Sequence, residues 1–211
     1  MLLIFDFDGT LVHSKRMCLF VFKKAFLKYG LHFTYPEIEL HFGPPAKELI
    51  RKLIGNKNQK LVDKIASEVY RLKTREGLKM MKLRCQGVLL KKLAKEHILV
   101  LRTNADCFST FKFLKDHKIF HFWREIITPE NPIGQSKIKT LKYFKKLFKQ
   151  PTVYIGDMRS DIKAARILKV KSIAISGWES ATLLRQARPD FLIYRLKNIP
   201  KILKKLQEII L

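Results

Sequence analysis

Six short runs of apolar, β-favouring residues recur along this 211-residue chain, separated for most of its length by stretches with helical spacing. That alternation is the strongest constraint on the fold, because it calls for a parallel sheet covered by helices. The runs are Leu2–Phe7, Ile98–Thr103, Glu125–Thr128, Thr152–Ile155, Ser172–Ile175 and Phe191–Ile193. Residues 137–149 place Ile138, Leu141, Phe144 and Phe148 on one helix face, with Lys139, Lys142, Lys145, Lys146 and Lys149 largely elsewhere. Residues 198–210 repeat the pattern with Ile199, Ile202, Leu203, Leu206 and Ile210. The lysines read as solvated helix faces.

Residues 15–84 break this rhythm. They hold helix-like patterns over Met17–Tyr29, Pro45–Ile54 and Gln59–Leu72 or beyond, punctuated by Gly43-Pro44-Pro45 and Gly55-Asn56, and no buried strand. The expected organisation is an α/β core from residues 1–14 and 86–211, with a small α-helical cap at 15–85 inserted after the first strand.

With 47% apolar residues, the chain can bury a real core, which excludes a disordered or fibrous class. Cys18, Cys85 and Cys107 cannot all pair with one another and match no CxxC spacing, so a reduced, cytoplasmic setting is expected. The amino terminus is apolar for only five residues before Asp6, unlike a signal peptide or a membrane span. The 43 basic and 18 acidic residues give a net charge of +25. Residues 15–85 hold 17 of the basic and 6 of the acidic ones, so the excess is spread along the chain. Such a field draws in anions, whether phosphate esters, nucleic acids or acidic membrane surfaces, without choosing among them.

Four elements carry chemistry. In Asp6-Phe7-Asp8-Gly9-Thr10, two carboxylates two residues apart end a strand and can face one site while Phe7 turns into the core. In open parallel sheets ligands collect at these strand ends, and Gly9 lets the backbone turn. The repulsion between the acids calls for a divalent cation, and carboxylate and water ligands suit magnesium. One carboxylate could attack phosphorus while the other handles a proton. The second element, Arg102-Thr103-Asn104, ends the run Ile98–Leu101 with a hydroxyl and an amide suited to phosphate oxygens. Arg102 is expected to point away from Thr103. The third is a lysine at a helix start, Lys137 after Gly134-Gln135-Ser136, with Lys139 as the alternative. Its ammonium would neutralise a phosphoryl group. The fourth, Val153-Tyr154-Ile155-Gly156-Asp157-Met158-Arg159-Ser160-Asp161, ends a buried strand in Gly-Asp, with a second acid where a helix begins. Asp157 reads as a direct metal ligand. Asp161 could bind through water, hold Lys137 or cap its helix.

DFDGT, Thr103, a helix-start lysine and GDMRSD stand in the order, and on the elements, of the four motifs of the haloacid dehalogenase-like hydrolases, which the chain resembles over nearly its whole length. DFDGTLVHSK, a helical insert with FGPPAKEL, Gly177-Trp178-Glu179-Ser180 and Arg188-Pro189-Asp190-Phe191 look like the phosphoglycolate-phosphatase-like branch. The resemblance implies a Rossmann-like core and an aspartyl-phosphate on Asp6. It implies that Asp8 protonates the leaving group and then activates water. Asp6, the Asp8 backbone carbonyl and Asp157 would hold Mg2+, while Thr103 and Lys137 bind the phosphoryl oxygens. His13 departs from the branch by standing where an acid is usual, and the lysine lacks a following proline. His13 reads as a surface residue and Cys107 as a spectator.

Within the family, Asp8 favours phosphate hydrolysis over dehalogenation but leaves phosphomutase and pyrophosphatase open. Phosphoglycolate leads among small phosphomonoesters. The rival from another class is a basic nucleic-acid-binding protein on an inactive scaffold, with a nucleic-acid-end phosphatase between the two.

Overall fold

The computed structural model describes residues 1–56 and 58–210. Six strands, all paired parallel, form one sheet: β1 (Leu2–Asp6), β4 (Ile98–Arg102), β5 (Glu125–Ile127), β6 (Thr152–Gly156), β7 (Lys171–Ile175) and β8 (Phe191–Ile193). Their order is β5-β4-β1-β6-β7-β8. All six lie where the apolar runs predict them. The central strand β1 has no residue facing solvent, as expected of a strand buried on both faces. Its alternation divides the core: Leu3, Phe5 and then Phe7 join one apolar cluster, Leu2 and Ile4 another. The Leu2–Ile4 face meets α7 (Lys137–Phe148) through Leu141 and Phe144, and α8 (Arg159–Ile167) through Ala164 and Ala165. The opposite face takes Leu90 and Leu93 of α5 (Gly87–Glu96), Phe113 and Leu114 of α6 (Cys107–Asp116), and Ile199, Ile202, Leu203 and Leu206 of the last helix, α9 (Ile199–Ile210). The side chain of Ile210 lies outside the described residues.

One position on α7 corrects the sequence reading. Ile138 is 39% exposed, and Thr140 fills the buried face instead, its hydroxyl bonded to the carbonyls of Ile133 and Ser136. The helix begins at Lys137, so Ile138 sits in its first turn, on the exposed side. The lysines at 139, 142, 145, 146 and 149 are exposed.

Between β1 and β4 the chain forms β2 (Val12–His13), α1 (Lys15–Lys28), α2 (Tyr35–Leu40), α3 (Ala46–Ile54) and α4 (Gln59–Leu72). A π-helical turn (Lys73–Gly77) and a 3-10 turn (Leu78–Met80) follow, then β3 (Lys82–Leu83), antiparallel to β2. This two-strand ribbon is not a buried strand of the kind excluded from the sequence. It ties the two ends of the insert together. Helix starts are capped locally: Asn58 accepts from the Leu61 amide at 2.9 Å, and Thr34 with Glu37 forms a capping box that fixes the short α2.

Within the insert, the buried Glu68 on α4 receives Arg71 Nε at 2.9 Å and Lys28 Nζ from α1 at 2.8 Å. The Arg71 hydrogen bond outweighs burial and, with Lys28, holds the carboxyl down at about 2. A depressed carboxylate stabilises the fold above its unfolded range, and that contribution fades as pH falls through the folded value. Because both cations are half exposed, Glu68→Gln is expected to cost about 1 kcal/mol at pH 7. In thermal melts the gap to the parent should shrink from pH 4.5 and close near pH 2. A gap undiminished at pH 2 would assign Glu68 a packing role instead.

Candidate active site

The parallel register brings the ends of three strands together. Asp6 closes β1 beside Arg102, the last residue of β4, and β6 ends at Gly156 on the other side. Asp6 shares the parity of Leu2 and Ile4 and therefore emerges on the side of the sheet that carries α7 and α8. That placement explains why a lysine at the start of α7 can act on it.

A cavity of about 80 Å³ opens at this edge. Asp6, Asp8, Thr103, Asn104 and Lys137 all line it. Lys139, the alternative for the helix-start lysine, is exposed and does not reach it. Ser136 caps α7 by accepting from the Lys139 amide at 3.3 Å, so Lys137 is the first residue of the helix. Its ammonium bonds Ser160 Oγ at 3.0 Å and pairs with Asp161 Oδ1. Asp161 also accepts from Tyr154 Oη at 3.1 Å and from the Met158 amide at 3.0 Å. Of the three roles open to it, Asp161 thus both holds Lys137 and caps α8.

Asp157 is fully buried beneath the cavity rather than in its wall. Its Oδ1 accepts from Thr10 Oγ1 at 2.9 Å and its Oδ2 from the Trp178 amide. Burial and then Asp161 push its carboxyl up to about 7 against these donors. Asp6 is pushed well above the carboxylate range by burial, then by Asp161 and Asp157, while Lys137 and Arg102 pull it down. Asp8 Oδ1 is buried without a hydrogen-bond partner. The strand ends therefore concentrate more negative charge than their cations relieve. Among the described residues no three His, Cys, Asp or Glu side chains converge to hold a metal by themselves. The donor set instead fits a hard cation held by Asp6 and Asp157, completed by backbone oxygen and water.

Thr103, Asn104 and Arg102 occupy distinct places. Thr103 is buried and its hydroxyl accepts from the Ala105 amide at 2.9 Å. Arg102 is fully buried, and its Nη2 bonds Asn104 Oδ1 at 2.7 Å and the Gly134 carbonyl at 3.0 Å. Asn104 Nδ2 in turn donates to the carbonyl of Gly43, in the insert. Around that contact Phe42 stacks on Trp178, with ring centres 4.1 Å apart. Arg84, at the other end of the insert, donates to the carbonyls of Gly9 and Ser176.

His13 is exposed and does not line the cavity. Cys18, Cys85 and Cys107 are all unpaired thiols, and burial pushes Cys18 and Cys85 upward, away from reactive thiolate.

Several site residues escape the sequence reading. Thr10 belongs to the motif, but its bond to Asp157 spans 147 positions. Tyr154 carried a signal, since a tyrosine in a fully buried strand needs a partner for its hydroxyl. Lys73 carried another: it continues the buried stripe Val62, Ile65–Ala66, Val69 of α4, where a charge is out of place. It lies in the cavity wall 3.4 Å from Asp106 Oδ2, and both side chains are buried. Burial opposes its charge, but Asp8 and Asp106 more than offset this and raise it.

The match to known proteins agrees with this architecture. Residues 3–175 fit the family model described as haloacid dehalogenase-like hydrolase. A Clostridium perfringens protein named a putative pyrophosphatase, PpaX, is 23% identical over 96% of this chain and 97% of its own length. A haloacid dehalogenase-like family hydrolase of Streptococcus pneumoniae superposes with a TM-score of 0.81 at 21% identity, covering 96% of this chain and 97% of that one. A structure described as a predicted phosphoglycolate phosphatase of Haemophilus somnus gives 0.80 at 20% identity, covering 95% and 96%.

Gly9 has no room for a side chain. Its φ is +76°, and a Cβ would lie 1.9 Å from Asp157 Oδ2. Gly9→Ala should therefore cost more than about 2 kcal/mol, against about 1 for Gly30→Ala, whose φ of +71° meets open space. Equal losses in melting temperature would show that backbone conformation alone, not the Asp157 contact, requires glycine at position 9.

Proposed function

As the chain belongs to the haloacid dehalogenase-like hydrolases, we propose that it is a magnesium-dependent phosphatase cleaving small phosphomonoesters through Asp6. The observation that carries this reading is the cavity in which Asp6, Asp8, Thr103 and Lys137 meet. Asp6 is the nucleophile. One carboxylate oxygen forms a bond to phosphorus as the bond to the ester oxygen breaks, and Asp8 delivers a proton to the departing oxygen. Asp8, its Oδ1 free of partners inside the protein, then takes a proton from the water that attacks phosphorus and releases Asp6. Thr103 and Asn104 hold phosphoryl oxygens, and Lys137, kept in place by Asp161, neutralises their charge. Asp6, the Asp8 carbonyl and Asp157 would hold magnesium, which when bound offsets the acids and the phosphoryl charge. The donors from Thr10 and Trp178 orient Asp157 for that role.

Residues 15–85 act as the cap over the core of residues 1–14 and 86–211. The contacts of Phe42 and Gly43 with Trp178 and Asn104 support a cap that excludes bulk water. Pockets for drug-sized ligands run from about 300 Å³ upward, so a cavity of about 80 Å³ suits a short leaving group. Phosphoglycolate is the leading candidate, in keeping with the sequence resemblance to that branch. No helix among the described residues is long and apolar enough to cross a membrane, and the free thiols suit the cytoplasm. Nucleic-acid binding from the +25 charge should be weak and steeply salt-sensitive.

Asp6→Asn should abolish magnesium-dependent hydrolysis of p-nitrophenyl phosphate while the protein stays folded, because an amide cannot serve as the nucleophile. Near-normal turnover would sink the mechanism. Lys137→Ala should lower kcat by about 10² or more, since it removes a fixed charge from the phosphoryl site. Lys139→Ala should leave kcat unchanged. The reverse result would move the catalytic lysine to position 139.

A further inference from the structure

The cap contributes one charged group to the cavity that the phosphoryl chemistry does not use. Lys73 sits in the π-helical turn that ends α4, an irregular element frequent at functional positions. The turn presses Gly77 against α1, where a Cβ would come within 3.0 Å of Met17 Cγ. The lysine stem is thereby held inside the protein, with 8% of the side chain exposed.

A buried ammonium ordinarily has its three N–H groups satisfied. Here the acid within ion-pair distance is Asp106 Oδ2, at 3.4 Å, and that oxygen is buried without a hydrogen-bond partner. The pair is thus an electrostatic contact short of a hydrogen bond. Asp106 has its own structural duty, since its Oδ1 caps α6 by accepting from the Ser109 amide at 2.8 Å. Lys137, the other lysine lining the cavity, is committed to Ser160 and Asp161. Lys73 is therefore the cation available to the part of the ligand that points away from Asp6. Around it the wall is mostly apolar, with Met17, Val21, Phe22, Phe42 and Val69. One cation among hydrocarbon suits a carboxylate on a short carbon chain better than a second phosphate, which would need several more donors.

We propose that Lys73 is the specificity-determining residue of the cap, reading a carboxylate on the leaving group, so that the substrates are phosphate monoesters of small hydroxycarboxylic acids. This rests on the phosphatase reading for its chemistry, but the binding site can be tested without turnover. The probes are 3-phosphonopropionate, propylphosphonate and pyrophosphate, titrated calorimetrically with magnesium. Beside them, kcat/KM is measured for phosphoglycolate and ethyl phosphate.

The parent protein should bind the carboxylated phosphonate at least about tenfold more tightly than the propyl compound, the scale of one charge-assisted hydrogen bond. It should bind pyrophosphate less tightly than the carboxylated phosphonate. Lys73→Gln should bring the ratio between the two phosphonates close to one, and Lys73→Arg should restore part of it. Asp106→Asn keeps a good helix cap, and should preserve or raise the ratio by releasing the ammonium. A ratio unchanged in Lys73→Gln would overturn the proposal. So would equal weakening of both phosphonates by Lys73→Gln and Asp106→Asn, which would make the pair a latch between cap and core. Preference for pyrophosphate would overturn the carboxylate assignment. A selective binding ratio without hydrolysis of any ester would remove the phosphatase reading and leave Lys73 as the reader of the carboxylate.

Discussion

The site is organised by an electrostatic problem at one edge of the sheet. Parallel pairing of β1 with β4 and β6 brings Asp6 and Asp157 to adjacent strand ends, and α8 adds Asp161. Buried carboxylates repel and lose hydration, so each needs a donor or a cation. The fold answers with a layer of specific partners. Thr10 and the Trp178 amide serve Asp157; Lys137, Tyr154 and the Met158 amide serve Asp161. What remains faces the cavity: Asp6, and Asp8 with an oxygen that has no protein partner. Each Asp157 oxygen takes a single protein donor and keeps a second lone pair, so Asp6, Asp8 and Asp157 retain acceptor capacity that Asp161 Oδ1, with two donors, does not.

The same partners connect the core to its insert. The Gly9 loop packs directly on Asp157, and Gly177 packs on the Gly9 carbonyl, where a Cβ would come within 2.2 Å. Arg84 bonds carbonyls in both of those loops from the base of the insert. Trp178, whose amide orients Asp157, also carries the face on which Phe42 stacks. Contact of the insert with the core and orientation of Asp157 therefore share residues. This coupling gives a physical reason why contacts made by the insert would be felt at the strand ends.

Much of this was legible in the sequence because its cause is local. The six strands follow from apolar runs, and Gly134-Gln135-Ser136 puts Lys137 at a helix start, where the Ser136 cap sets it as the first helical residue. Asp6, Asp8, Thr103 and Lys137 lie in short motifs, and the parallel topology brings them together. What stayed hidden depends on distant partners. Asp157 reads from the sequence as a metal ligand at a strand end, but its burial and its donors Thr10 and Trp178 come from distant segments. Strand alternation turns Arg102 away from Thr103 but does not say what receives it; Asn104 and the Gly134 carbonyl do, and the guanidinium is buried. Ile138 went the other way: helical spacing puts it on the apolar stripe, but Thr140, its hydroxyl bonded to the Ile133 and Ser136 carbonyls, takes the buried face. Lys73 was visible only as a charge on an apolar stripe, a conflict that here marks the cavity wall.

The central claim is that Asp6 becomes covalently phosphorylated during turnover. It is tested most directly by quenching a single turnover of an aryl phosphate with magnesium, trapping acyl phosphate with hydroxylamine or borohydride, and locating the modified residue by peptide mass spectrometry. The account predicts modification at Asp6, formed at least as fast as phosphate is released and absent from Asp6→Asn. Phosphate release at the full rate with Asp6 unmodified at every time point would contradict it.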